Sequence, residues 1–133
     1  MAGIYLDTSA LGRVLLAEPD ATAIRSVLDQ HDDWWSSELL MVELRRFATR
    51  EELADPAEKL LEEIELLGID SATMQRASRV EPSEVRSLDA IHLDAALVLN
   101  QQGKIASVLT YDNQLQAGCR HHGLNVTAPT PTG

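Results

Sequence analysis

The stretch GIYLDTSALGRVLLAE, residues 3–18, runs from a short strand straight into a helix, and that order decides the fold. GIYLD is a brief apolar run ending in Asp7, the pattern of a strand buried on both faces of a parallel sheet. TSALGRVLLAE reads as a helix that closes near Pro19. A second run of the same kind, ASVLTYD at residues 106–112, also ends in an aspartate and leads into NQLQAGCRHHG, again helical. Between them DWWSS suits another short strand, and LNV at residues 124–126 a last edge strand.

The remaining segments are helical. PDATAIRSVLDQH reads as a helix capped by Asp20, and SELLMVELRRFATREE as a mostly buried helix with a polar outer end. DPAEKLLEEIELL is amphipathic, with Asp55 as cap and Pro56 at the first helical position. GID reads as a brief strand, SATMQRASRV as a helix capped by Ser71, and residues 82–103 as a longer helical region ending at Gly103. Strands alternating with helices imply βαβ units and a mostly parallel sheet with helices on both faces. The expectation is one α/β domain over residues 1–127, with APTPTG leaving a disordered tail at 128–133.

Composition bounds the function. At 133 residues, 44% hydrophobic and 24% charged, the chain suits a single globular domain. No apolar run approaches the roughly 20 residues of a membrane span, and the N-terminus has no signal-like pattern, so the chain reads as cytoplasmic. Its one cysteine, Cys119, excludes an internal disulfide and a cysteine-based zinc cluster. A net charge of −10 argues against a plain electrostatic nucleic-acid binder. Against that, nine arginines stand beside two lysines, and a guanidinium is the better fork for phosphate.

Ligands of open parallel sheets bind beyond the carboxyl ends of the strands. Asp7 and Asp112 both fall there, each with a hydroxyl residue two positions away, Ser9 and Thr110. Such hydroxyls orient a carboxylate or a metal's water. Each aspartate alone reads equally as a helix N-cap; two at neighbouring strand ends favour a site. Glu43 lies among Leu40, Met41, Val42, Leu44 and Phe47, which leave little polar face around it. Arg45, Arg46 and Arg50 follow, either as phosphate contacts or as the helix's solvated C-terminal end.

SLDAIHLDAAL, residues 87–97, is apolar nearly all round yet carries Asp89, His92 and Asp94. At 100° per residue the two aspartates lie about 140° apart around the helix, so one only is expected at the crevice. Asp89, near the start of the run, is the candidate. His92 reads as a satisfied core or interface histidine, and Asp94 as an arginine partner or dimer contact.

YLDTSAL, VEL on an early helix, LDAIHLDAAL, and LTYDNQL followed by HHGLNV together resemble the four acidic motifs of PIN-domain ribonucleases. In size and motif order the chain is similar to the VapC-type toxins of toxin–antitoxin operons. That resemblance implies a three-layer α/β/α sandwich and a Mg²⁺- or Mn²⁺-dependent endoribonuclease that cuts structured RNA such as tRNA or rRNA. Carried over by position, its acids are Asp7, Glu43, Asp89 and Asp112, with Ser9 and Thr110 as hydroxyl helpers. It also implies a homodimer and a VapB-type antitoxin that occludes the site. The chain departs from the pattern at Asp94, where relatives carry a small or apolar residue, and at Asn113, where many carry a base.

Two rivals are weaker. A haloacid-dehalogenase-like phosphatase needs a second acid two residues after the first, where Ser9 stands. A catalytically silent PIN-fold binding or assembly module is opposed by the presence of all four acids.

Overall fold

The computed structural model describes residues 2–131. Five strands, β1 (Gly3–Leu6), β2 (Trp34–Ser37), β3 (Ile64–Leu67), β4 (Ile105–Leu109) and β5 (Val126–Thr127), form one sheet in the order β3-β2-β1-β4-β5. Every neighbouring pair is parallel. The helices are α1 (Thr8–Leu15), α2 (Ala21–Asp29), α3 (Glu38–Arg50), α4 (Ala54–Glu62), α5 (Ser71–Ala77), α6 (Ser87–Gln101) and α7 (Asn113–His121).

The pleat of β1 divides the core in two. Ile4 and Leu6 join Leu11, Val14, Ile24, Leu40 and Leu44 beneath α1 to α4. Tyr5 points the other way, among Leu93, Leu99, Val108 and Leu115 beneath α6 and α7. The result is the expected three-layer α/β/α sandwich. Because the chain turns from β1 toward β2 on one side and β4 lies on the other, the β1/β4 boundary is the switch point of the sheet. Gly3 is required there: a Cβ would stand 2.6 Å from the Asp33 carbonyl oxygen and 2.8 Å from that of Lys104. Gly118 serves α7 likewise, since a Cβ would meet a Leu93 methyl of α6 at 2.9 Å. Its absence lets the helix that follows Asp112 pack closely on the helix that carries Asp89.

Several local expectations are corrected. IELL is strand β3 and not the end of a helix, and GID follows the strand instead of forming it. Leu60, Leu61, Ile64 and Leu67 fit a helical spacing, but pairing with β2 (Trp34 opposite Ile64) takes the segment into the sheet. The α4 helix starts one residue before Asp55, without a side-chain cap. Asp70, not Ser71, caps α5, in a reciprocal capping box with Thr73. The long helix begins only at Ser87. Asp20 precedes α2 but makes no cap bond: its backbone is helical (φ −90°, ψ 0°) where a capping residue is extended, and its Oδ2 accepts from Arg13 at 2.8 Å. In α3 the buried stripe is Leu40, Leu44 and Ala48, while Val42 is 51% exposed.

At the C-terminal end, Ala128 and Pro129 are half-buried, and the Tyr111 hydroxyl donates to the Pro129 carbonyl. The last two positions of the expected tail lie outside the described residues.

Candidate active site

Asp7 leaves β1 directly into α1, and both readings of it hold at once. Its Oδ1 accepts from the Ser9 amide at 3.0 Å, which is the N-cap of α1. Its Oδ2 accepts from the Ser9 hydroxyl at 2.9 Å and from the Thr110 hydroxyl. Those hydroxyls are themselves pinned by backbone. The Tyr111 amide donates to Ser9 Oγ at 2.9 Å, and the Asp112 amide to Thr110 Oγ1 at 3.0 Å. Asp7 is therefore locked across the β1/β4 boundary by the loop after β4.

Asp112 caps α7 in the same manner, its Oδ1 accepting from the Leu115 amide at 2.9 Å. Its other oxygen is uncommitted. Asp112 also borders a groove of about 490 Å³ with Thr8, Ser9, Arg13, Phe47 and Tyr111. Arg13 lies over the Tyr111 ring, 4.1 Å from its centroid.

Asp89 opens the first turn of α6 and is half-buried, with no hydrogen-bond or ion-pair partner among the described residues. Burial pushes its carboxyl up to about 6, and the charges of Asp112, Asp7 and Glu43 add to the rise against a smaller opposing effect of His92. Asp89 thus senses all three other acids. Four carboxylates approach one another from the ends of β1 and β4 and from α3 and α6.

Glu43 is reached by two donors, the Thr8 hydroxyl at 2.9 Å and His92 Nε2 at 2.7 Å, and both end on Oε1. Burial alone would raise the Glu43 carboxyl, but the His92 bond, the His92 charge and the Thr8 hydroxyl outweigh it and hold it below the usual value. His92 itself is 1% exposed, and its Nδ1 lies 2.7 Å from the Tyr5 hydroxyl. Sequence reasoning took His92 for packing and passed over Tyr5 and Thr8. The available signal was spacing: Tyr5 shares a strand face with Asp7, and His92 follows Asp89 by one helical turn.

The other candidates lie elsewhere. Asp94 is buried against α5, where Arg76 holds it through Nε at 3.0 Å. Arg45 is committed to Glu58 on α4, Nη2 to Oε1 at 2.8 Å. Arg46 is exposed beside Thr49 and Arg50 in a shallow depression on the outer end of α3. Cys119 is buried, and burial pushes its thiol up to about 12.

The donor set is all oxygen, which suits a hard divalent cation and not zinc or copper. As the side chains stand, no three His, Cys, Asp or Glu residues among the described residues share a coordination point. Uncompensated like charges do not draw together by themselves. Lone pairs a cation would need are nonetheless free: both oxygens of Asp89, Oδ2 of Asp112 and Oε2 of Glu43 take no hydrogen bond from the described residues.

Comparison with known proteins identifies the family of the fold. Residues 4–120 match the PIN domain family. Ribonuclease VapC47 of Mycobacterium tuberculosis is 35% identical over 133 residues, covering 95% of this chain and 96% of that protein. Ribonuclease VapC46 of the same species is 33% identical over 132 residues, covering 98% and 100%. Ribonuclease VapC35 is 32% identical over 130 residues, covering 95% and 96%. With the sandwich, the acids at its switch point and relatives matched along nearly their whole length, the chain belongs to the PIN-domain family, among its VapC ribonucleases.

Proposed function

We propose that this chain is a divalent-metal-dependent endoribonuclease toxin that cuts structured RNA, tRNA or rRNA, and so inhibits translation. The observation that carries the reading is the approach of Asp7, Glu43 and Asp112 to the half-buried Asp89 carboxyl, which burial first and then those three charges push up. The names of the VapC relatives support RNA as the substrate.

In this reading Asp7, Asp89 and Asp112 hold Mg²⁺ or Mn²⁺, with Glu43 as a further ligand or as the base. The bound cation would lower the pKa of a water and offset charge developing on the phosphate. The chain's own residues do the rest. Ser9 and Thr110 immobilise Asp7, so a carboxylate that faces like charges does not swing away. Glu43 stays ionised and accepts a proton or hydrogen bond at Oε2. Arg46 and Arg50 offer guanidinium forks to RNA phosphates outside the acidic crevice, while Arg45 is occupied by Glu58.

The same reading includes a homodimer, a cognate VapB-type antitoxin whose basic segment would meet the acidic site, and a cytoplasmic location. Among the described residues no helix is long and apolar enough to cross a membrane. The second reading, a silent PIN-fold assembly module, is disfavoured by the approach of Asp7, Glu43 and Asp112 to Asp89, since a purely structural site gains nothing from gathering like charges.

The test is incubation of the purified chain with total cellular RNA and Mn²⁺ or Mg²⁺, with cleavage sites mapped, beside calorimetry of cation binding. Cleavage at discrete sites that disappears with chelator and in Asp7→Asn is the expected result. No cleavage and no cation binding would end the nuclease reading.

A further inference from the structure

Tyr5, His92 and Glu43 form one hydrogen-bonded line through the protein. Tyr5 is fully buried in β1, and its hydroxyl lies 2.7 Å from His92 Nδ1. The two rings meet edge-on at 79°, with centroids 5.8 Å apart. His92 Nε2 lies 2.7 Å from Glu43 Oε1. The line begins on β1, which delivers Asp7, passes through α6, which carries Asp89, and ends on α3 at Glu43.

Proton placement follows from the partners. An ionised carboxylate only accepts, so the nitrogen facing Glu43 must carry the hydrogen. In a neutral ring Nδ1 is then the acceptor, and the Tyr5 hydroxyl, kept protonated by burial, donates to it. Any histidine buried to this degree must satisfy both nitrogens; what is particular here is that one of them is spent on a site acid. Thr8 donates to the same Glu43 oxygen, so among the described residues Oε1 receives two hydrogen bonds and Oε2 none.

We propose that His92 is a positioning residue for Glu43: with Thr8 it occupies Oε1 and leaves Oε2 as the one Glu43 oxygen that serves the cation or its water, while Tyr5 fixes the ring in the Nε2–H form. The inference rests on the reading of Glu43 as part of the metal site. Partners of this kind behind metal ligands and bases are worth about 10- to 100-fold in metal affinity or activity.

The experiment uses the full chain and two readouts. Calorimetry with Mn²⁺ alone compares the wild type with His92→Leu, His92→Gln and Tyr5→Phe, each checked for folding by thermal unfolding. The ¹⁵N shifts of the imidazole ring in the metal-free wild type report the tautomer. The expected result is about 10-fold or greater loss of Mn²⁺ affinity in His92→Leu, with most of it returned in His92→Gln, whose amide places a donor near Nε2. Tyr5→Phe should fall between, and the ring should carry its proton on Nε2. Should His92→Leu fail to fold, Tyr5→Phe, which keeps the ring and the packing, and the tautomer decide the matter. Folded variants that bind Mn²⁺ like the wild type, a glutamine no better than leucine, or a ring protonated on Nδ1 alone would overturn the positioning role and leave the nuclease reading standing. A wild type that binds no Mn²⁺ overturns the metal-site reading, and the positioning role with it.

Discussion

Arg76 on α5 grips Asp94 on α6 from the side, its Nε 3.0 and 3.3 Å from the two carboxylate oxygens and its Nη2 3.2 Å from Oδ2. The pair is asymmetric: the Asp94 side chain is 5% exposed and that of Arg76 49%. Water can solvate the arginine without its partner, but not the aspartate. Removing the guanidinium strands a buried charge, whereas neutralising the carboxylate leaves a half-solvated cation. Arg76→Met is therefore expected to lower the thermal midpoint more than Asp94→Asn, with RNA cleavage retained in both at temperatures where they are folded. Equal cleavage losses in Asp94→Asn and Asp89→Asn would move Asp94 into the site.

Asp7 carries two jobs that substitution can separate. Asn keeps an oxygen for the Ser9 amide of α1 but removes the charge and puts an NH₂ where Oδ2 stood, which the Ser9 and Thr110 hydroxyls must turn to accept. Asp7→Asn should thus unfold close to the wild-type midpoint while cleavage falls by at least about 100-fold, since even partners behind a ligand are worth 10- to 100-fold. Asp7→Ala should lose cleavage equally and in addition about 1 kcal/mol of stability with the helix cap. Cation titrations beside denaturant melts separate the two effects.

The acids that face Asp89 make the metal-free chain sensitive to pH. Its carboxyl sits at about 6 against an ordinary 3.8, so the folded chain binds more protons than the unfolded chain between those values. Stability from this group is then fully present below pH 3.8 and is lost as pH rises toward 6 and beyond. The loss is on the order of 1 kcal/mol once the solvent exposure of the half-buried carboxyl is allowed for. In chelator, Asp89→Asn should be more stable than the wild type at pH 8 and lose that advantage at pH 4, with Mg²⁺ reversing the order at pH 8. Parallel melting curves across that range would contradict the convergence of charge on Asp89.

Ser9 joins the loop after β4 to Asp7, accepting from the Tyr111 amide and donating to Asp7 Oδ2. Ser9→Ala leaves that amide without its partner and frees one side of the carboxylate. The expected cost is about 1 kcal/mol in stability and about 10-fold or more in Mn²⁺ affinity. Ser9→Thr should restore most of both. If alanine lowered stability and left affinity untouched, the hydroxyl would be a loop fastener and nothing more.

How much of this was legible in the sequence depended on how local its cause is. The strands ending in Asp7 and Asp112 are apolar runs that break abruptly at a charge, and the switch-point rule places both without coordinates. Asp89 and Asp94 separate by helical angle alone. By contrast IELL fits a helix as well as a strand, and only its pairing with Trp34–Ser37 decides. The tie between Glu43 and His92 spans 49 residues and depends on how α3 and α6 cross, which no periodicity encodes. The tie of Asp20 to Arg13 likewise comes from another helix, and its helical backbone, which rules out the cap, is set by the turn before α2.

The exposed arginines of α3 test how an acidic chain would hold RNA. Arg45 is engaged by Glu58 through two bonds, Nε to Oε2 at 3.0 Å and Nη2 to Oε1 at 2.8 Å, so its charge is already answered. Arg46 and Arg50 are exposed beside it. If those two contact phosphates, each contact releases counterions, and its removal should flatten the dependence of log affinity on log salt by about 0.7 for single-stranded and about 0.9 for duplex RNA. Binding of a fluorescent tRNA to an Asp89→Asn background, measured from low to physiological salt, provides the slope. Arg46→Gln and Arg50→Gln should each flatten it by about one such step, while Arg45→Gln should change it less because Glu58 competes for that guanidinium. Unchanged slopes in the Arg46 and Arg50 variants would move the phosphate contacts off α3 and toward the groove beside Asp112, where Arg13 lies over Tyr111.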